Sequence, residues 1–101
     1  MKKISVVILN WNGEAMLRQF LPSVVEYSEA EGVEVCVADN ASSDASCDVV
    51  RKEFPSVRLI ELEENYGFAE GYNRALQQVG GGYILYNEED IGRIYETGRG
   101  G

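Results

Sequence analysis

The sequence contains no histidine and only two cysteines, two prolines and one tryptophan. Without histidine there is no Ser-His-Asp or Cys-His nucleophile system. Cys36 and Cys47 form no C-x-x-C and have no histidine to complete a zinc site. What remains is carboxylate, amide and metal-assisted chemistry. Basic residues are also scarce, with 9 Lys+Arg against 17 Asp+Glu for a formal charge of −8. That balance argues against nucleic acid, whose phosphates are neutralised by stripes of Lys and Arg, and against an anionic membrane surface. Long apolar runs are missing too. Ile4 to Leu9 is the longest and includes Ser5, far short of the roughly 20 residues that span a bilayer. It is also too short for a signal-peptide core behind Lys2 and Lys3. The expected location is the cytoplasm. At 101 residues the chain has room for one core but not for two domains with a cleft between them.

Against these absences stand well-formed periodic segments. Ile4-Ser5-Val6-Val7-Ile8-Leu9 is nearly continuous apolar and β-branched, as in a strand buried on both faces. After Asn10-Trp11-Asn12-Gly13, apolar residues recur at Leu17, Phe20, Leu21, Val24 and Val25, one face of a helix. Pro22 inside that pattern predicts a kink or a restart, and Glu31-Gly32 ends the helix. Val33 to Ala38 reads as a second strand, and Ser43 or Asp44 can cap the helix that buries Val49, Val50 and Phe54 before Pro55. Val57 to Leu62 reads as a third strand. A third helix carries Ala69, Tyr72, Ala75, Leu76 and Val79 on one face, stops at Gly80-Gly81-Gly82, and is followed by a strand over Tyr83 to Tyr86.

The order β-α-β-α-β-α-β predicts an α/β chain with an open, mostly parallel, Rossmann-like sheet of about four strands, covered by helices on both faces. Residues 1–90 make the expected domain, and 91–101, glycine-rich and without an apolar period, an irregular tail.

In such sheets ligands bind outside the carboxyl ends of the strands. Those ends carry Asn10-Trp11-Asn12, Asp39-Asn40, Glu64-Asn65-Tyr66-Gly67 and Asn87-Glu88-Glu89-Asp90. An acidic residue such as Asp39 can accept a hydrogen bond from a ribose hydroxyl or a base N–H; it serves equally well as a turn or helix-capping residue. Gly67 marks a sharp turn, a close approach by a ligand, or an ordinary loop. Neither G-x-G-x-x-G nor G-x-x-x-x-G-K-[ST] is present, so a classical dinucleotide cradle and a lysine-bearing phosphate loop are both unsupported.

Three segments in order, Val6 to Asn12, Val37-Ala38-Asp39-Asn40-Ala41-Ser42-Ser43-Asp44 and Glu64-Asn65-Tyr66-Gly67-Phe68-Ala69-Glu70-Gly71-Tyr72-Asn73, resemble the amino-terminal half of family 2 glycosyltransferases, most closely the rhamnosyltransferase-like bacterial members. The resemblance covers roughly residues 3 to 86. It implies the GT-A nucleotide-sugar fold and inverting transfer of a sugar from a nucleoside-diphosphate donor to an acceptor hydroxyl. On it, Asn10, Trp11 and Asn12 line a uridine or thymidine pocket, Asp39 holds the base or ribose, and Asn65, Gly67 and Asn73 shape the donor side of the cleft. The family's acidic motif after the fourth strand falls on Glu88-Glu89-Asp90, so Glu88 and Asp90 are the expected ligands of Mg²⁺ or Mn²⁺. Here the sequence departs from the family pattern by a register shift and an extra acid. A hard cation is what an acidic protein without a basic loop needs in order to hold a diphosphate.

Family members continue well beyond this motif into an acceptor-binding half that supplies the catalytic base, and nothing after Asp90 resembles it. The expected partners are a UDP- or dTDP-linked sugar and, for the full enzyme, a glycan or lipid-linked acceptor that brings it to a membrane. A sheet cut after its fourth strand leaves an edge and faces exposed, which predicts a dimer or higher oligomer. Two other readings stay open: a nucleotide-binding module without catalysis, and a structural or receiver-like α/β domain. The receiver-like reading is weakened by Asn-Trp-Asn standing where an acidic cluster belongs.

Overall fold

The computed structural model describes residues 4–79 and 82–87. It contains β1 (Ile4–Asn10), α1 (Glu14–Glu31), β2 (Glu34–Asp39), α2 (Ser46–Glu53), β3 (Arg58–Glu61), α3 (Gly67–Leu76) and β4 (Gly82–Asn87). All three strand pairings are parallel, and the order is β3-β2-β1-β4. The first strand, the most apolar segment of the chain, is therefore flanked on both sides.

Alternation along the strands sorts the core into two layers. Val6, Ile8, Val35 and Val37 pack with Leu17, Phe20 and Leu21 of α1 and Val50 of α2. Val7, Leu9, Cys36 and Ala38 face the other way, onto Tyr72 and Ala75 of α3 with Ile60 and Leu62. Helices thus cover both faces of an open α/β sheet.

Several boundaries move by a residue, and the shifts matter for function. Asn10 and Asp39 end β1 and β2 from inside the ladder, paired directly across from each other. Gly32 stops α1 in the left-handed conformation at φ 71°, its amide reaching back to the helix end. Pro22 lies within α1, which continues through it as one helix rather than restarting. Its ring is exposed, and Leu17, Phe20 and Leu21 around it are buried in the core, so tertiary packing outweighs the lost backbone hydrogen bond. On α3 the buried positions are Gly71, Tyr72 and Ala75, whereas Ala69 is exposed. The helix turns its glycine to the sheet because a methyl group at Gly71 would lie 3.0 Å from Asn40 Nδ2 and 3.1 Å from a Leu9 methyl. α3 ends at Leu76, and Gly82 belongs to β4 instead of stopping the helix.

β3 and β4 form the two edges of the sheet among the described residues. No helix among those residues is long and apolar enough to cross a membrane. The expected tail, residues 91–101, lies outside the described residues.

Candidate nucleotide-sugar site at the carboxyl edge of the sheet

The period-2 alternation that builds the core also aims the polar residues at its end. Asn10 follows Val6 and Ile8, and Asp39 follows Val35 and Val37, so both point to the α1/α2 side. Asn40 follows Cys36 and Ala38 and points to α3. Asn10 is fully buried and Asp39 is 3% exposed.

Asp39 receives hydrogen bonds at both oxygens. Asn10 Nδ2 donates to Oδ1 at 2.9 Å and Ser42 Oγ at 2.6 Å, while the Ser42 amide donates to Oδ2 at 2.8 Å. A buried carboxylate needs such donors, because an unpaired one is costly away from water. Asn10 Oδ1 is buried without a hydrogen-bond donor among the described residues. Its amide cannot turn over to find one, because Asp39 requires the NH₂ group where it is.

Around this pair the first two loops are stitched together. Asn12, at φ 52°, accepts the amides of Ser43 and Asp44 at its Oδ1 (2.7 and 3.2 Å), and its own amide donates to Ser42 Oγ at 2.8 Å. Asp44 accepts the amide of Glu14 at 3.1 Å and that of Ser46 at 2.9 Å, so one carboxylate serves the amino ends of both α1 and α2. Burial on its own would raise the Asp44 carboxyl, but the Ser46 hydroxyl and the two amides outweigh it and hold it below its ordinary value. The sequence offered Ser43 or Asp44 as the cap of α2; Ala45 stands at the N-cap position without a side-chain bond, Asp44 instead binds the Ser46 amide from one residue earlier, and the link to α1 was not legible. Ala41, between Asn40 and Ser42, also sits in the left-handed region at φ 63°, which costs an L-residue about 1 kcal/mol.

The third loop is fastened by Asn40. Its Oδ1 accepts the Tyr66 amide at 3.0 Å and its Nδ2 donates to the Gly67 carbonyl at 3.0 Å. Asn65 is exposed and accepts the Gly67 amide at 2.8 Å, which shapes a turn with Gly67 at φ 80°. Arg74 lies over the Tyr66 ring at 3.9 Å and pairs with Glu70. Asn73 is exposed on α3. Two aromatic side chains stand out from this edge: Trp11 is 53% exposed and Phe68 60%.

Of the candidate residues, the structure brings Asn10, Asn12 and Asp39 into one hydrogen-bonded cluster and joins Asn65 and Gly67 to it through Asn40. Trp11 and Asn73 are exposed flanking residues. Glu88 and Asp90 lie outside the described residues, which begin their gap directly after Asn87 at the end of β4. Among the described residues no three carboxylate or thiol groups gather as a metal site. The sequence assigns no role of its own to Ser42, or to Asn40 beyond its place at a polar strand end. Their signals were position: Ser42 stands three residues beyond Asp39, a spacing at which side chain and backbone pair locally, and Asn40 occupies the opposite strand face.

The surroundings of the two thiols disfavour the thiolate form. Burial pushes Cys36 up to about 11, and burial followed by the neighbouring Asp39 carboxylate pushes Cys47 up to about 12. Thiolate is the attacking species. At pH 8 both cysteines are expected to react with iodoacetamide much more slowly than in urea-unfolded chain; equal rates in the two states would contradict their placement.

Residues 5–91 match the family model described as Glycosyl transferase family 2. The chain belongs to glycosyl transferase family 2. It is 32% identical over 92 residues to the uncharacterized glycosyltransferase YfnE of Bacillus subtilis, covering 88% of this chain and 23% of that protein. It is 31% identical over 77 residues to an N-acetylglucosaminyl-diphospho-decaprenol L-rhamnosyltransferase of Mycobacterium tuberculosis, covering 76% of this chain and 25% of that one. Among solved structures, Staphylococcus aureus TarS in complex with UDP superposes with a TM-score of 0.71 at 27% identity, over 85% of this chain and 27% of that one. The Pyrobaculum calidifontis mannosyltransferase PcManGT, in complex with GDP-Man and Mn²⁺, gives 0.73 at 24% identity over 86% and 27%; that likeness is one of fold. The neighbours are transferases of the GT-A fold, and this family 2 chain shares it. It spans about a quarter of the length of these relatives.

Proposed function

We propose that this chain is the donor-binding portion of an inverting glycosyltransferase and holds the nucleotide of a UDP- or dTDP-linked sugar at the carboxyl edge of its sheet. The observation that carries the reading is the hydrogen-bonding state of Asp39. Two donors occupy Oδ1 and one occupies Oδ2, with the Cys47 thiol also bonded to the carboxylate, so Asp39 is held by donors on every described side and a further ligand group meets it as an N–H or O–H donor. The imide N–H of uracil or thymine suits that acceptor, as does a ribose hydroxyl; the two-donor edge of guanine calls for both oxygens. Exposed Trp11, next in sequence to the buried Asn10, supplies a face on which the base stacks, an interaction worth about 1–3 kcal/mol. Asn12 supports the pocket wall, and Asn65, Gly67 and Asn73 shape the donor side.

The diphosphate needs positive charge, and among the described residues three arginines are paired with carboxylates. Arg18 pairs with Glu14 and Glu53, Arg51 with Asp48 and Glu61, and Arg74 with Glu70. Glu88 and Asp90, which follow β4 in the sequence, are hard oxygen ligands suited to Mg²⁺ or Mn²⁺. Such an ion would neutralise charge on the leaving diphosphate. The acceptor, a glycan or lipid-linked hydroxyl, and the base that deprotonates it are assigned to no residue of this chain. The free thiols Cys36 and Cys47 favour the reducing cytoplasm, at a membrane where the acceptor is lipid-linked.

In a thermal melt, UDP or dTDP with Mn²⁺ at ten times its dissociation constant is expected to stabilise the chain by about 1.4 kcal/mol, since the ligand binds only the folded state. A folded sample whose melting temperature moves with no pyrimidine nucleotide would refute the reading.

A further inference from the structure

We propose that Ser42 is a positioning residue that fixes the plane of the Asp39 carboxylate against the nucleobase, and so sets a preference for uracil-type bases over cytosine. The inference rests on the nucleotide reading above and deepens it. A serine hydroxyl has one hydrogen to give and two lone pairs to accept with. Here both lone pairs face N–H donors, Asn10 Nδ2 at 3.2 Å and the Asn12 amide at 2.8 Å. The hydroxyl hydrogen therefore has one direction left, towards Asp39 Oδ1 at 2.6 Å. Because the Ser42 amide holds Oδ2 at 2.8 Å, this single residue grips both oxygens of the carboxylate and fixes its plane. Asn10 adds a third donor at 2.9 Å and the Cys47 thiol a further one, so the carboxylate meets a base as a hydrogen-bond acceptor in one fixed orientation. Uracil carries a hydrogen on N3 and is attracted; cytosine carries a lone pair there and is repelled. Ser42 exerts this effect through Asp39, without a contact of its own to the base.

Without the hydroxyl, Asp39 loses one of the two Ser42 donors and its plane is no longer fixed at Oδ1. The Asn12 amide also loses its acceptor, which loosens the turn that carries Trp11. The test is calorimetric titration of the 101-residue chain with UDP and with CDP, each with Mn²⁺, alongside a melting curve for every variant. The parent is expected to prefer UDP. Ser42→Ala is expected to lower the UDP-to-CDP affinity ratio about tenfold, the worth of one hydrogen bond to a charged group, mainly by weakening UDP. Ser42→Thr, which keeps the hydroxyl, is expected to retain the ratio. Ser42→Cys, close in size but a poor donor, is expected to move the ratio in the same direction as alanine and carries the test where the alanine variant does not fold. An unchanged ratio in the alanine and cysteine variants, or UDP and CDP weakened in equal proportion, would overturn the role given to Ser42 while leaving the nucleotide site standing. A folded parent that binds neither nucleotide would remove the nucleotide reading itself, and this inference with it.

Discussion

Replacing Asp39 by alanine is expected to lower stability by about 2–4 kcal/mol and to abolish any gain from UDP, the largest combined effect of a single substitution at this site. The carboxylate is the shared acceptor for Asn10 Nδ2, the Ser42 hydroxyl and the Ser42 amide, and Asn10 and Asp39 are themselves buried. Alanine leaves those donors without it, at about 1–3 kcal/mol for each one left unsatisfied. The hydroxyl can swing elsewhere, and Asn10 keeps its bond to Ser42, which holds the total below a simple sum. The loops do not come apart, because Asn12 and Asp44 still tie them at the amides of Glu14, Ser43 and Asp44. Asp39→Asn is expected to cost less. An NH₂ placed towards Asn10 can be accepted by Asn10 Oδ1, which has no donor among the described residues, once that amide turns over. Urea denaturation of the two variants, with and without UDP and Mn²⁺, measures both effects. An alanine variant within 0.5 kcal/mol of the parent, about the scatter of neutral surface substitutions, would show that the network has been misread.

Asn40→Ala is expected to cost about 2–3 kcal/mol, with its effect concentrated on α3. Asn40 is the polar fastening of that helix to the sheet. It accepts the Tyr66 amide and donates to the Gly67 carbonyl, just where α3 begins and φ is 80°. It also fills the space against Gly71, so truncation opens a gap as well as removing two hydrogen bonds. α3 is short, and its cover over the second core layer rests on Tyr72 and Ala75. Losing the fastening should therefore raise hydrogen exchange at Tyr66 and along the helix before the β1–β2 pair is affected. Exchange that accelerates equally in α1 and α3 would indicate global destabilisation instead and would sink the assignment of a local clamp.

Much of the scaffold could be read directly from the chain. Among the described residues, period-2 and helical apolar patterns placed the strands and helices to within a few residues, Gly32 announced the end of α1, and the Asp39 to Asp44 segment announced a polar strand end. The misplaced positions were decided by packing phase. Ala69 looks like a core residue by type, yet α3 buries Gly71 because the backbone must pass close to Asn40 and Leu9. Pro22 looks like a break, yet α1 runs through it because the apolar face around it is already docked.

By itself, then, the sequence determined the alternation of strands and helices, the polar strand ends and, through those motifs, the family. Only the tertiary structure decided that β1 lies between β2 and β4, that Asn10 stands opposite Asp39, and that one serine holds both oxygens of that carboxylate. The reason is physical. Periodicity records which face of a local segment avoids water, and that is written within a few residues. The bonds that make the site join Asn10, Asn12 and Glu14 to Asp39, Ser42 and Asp44, about thirty positions away. They exist only once parallel pairing has set the register of the two strands.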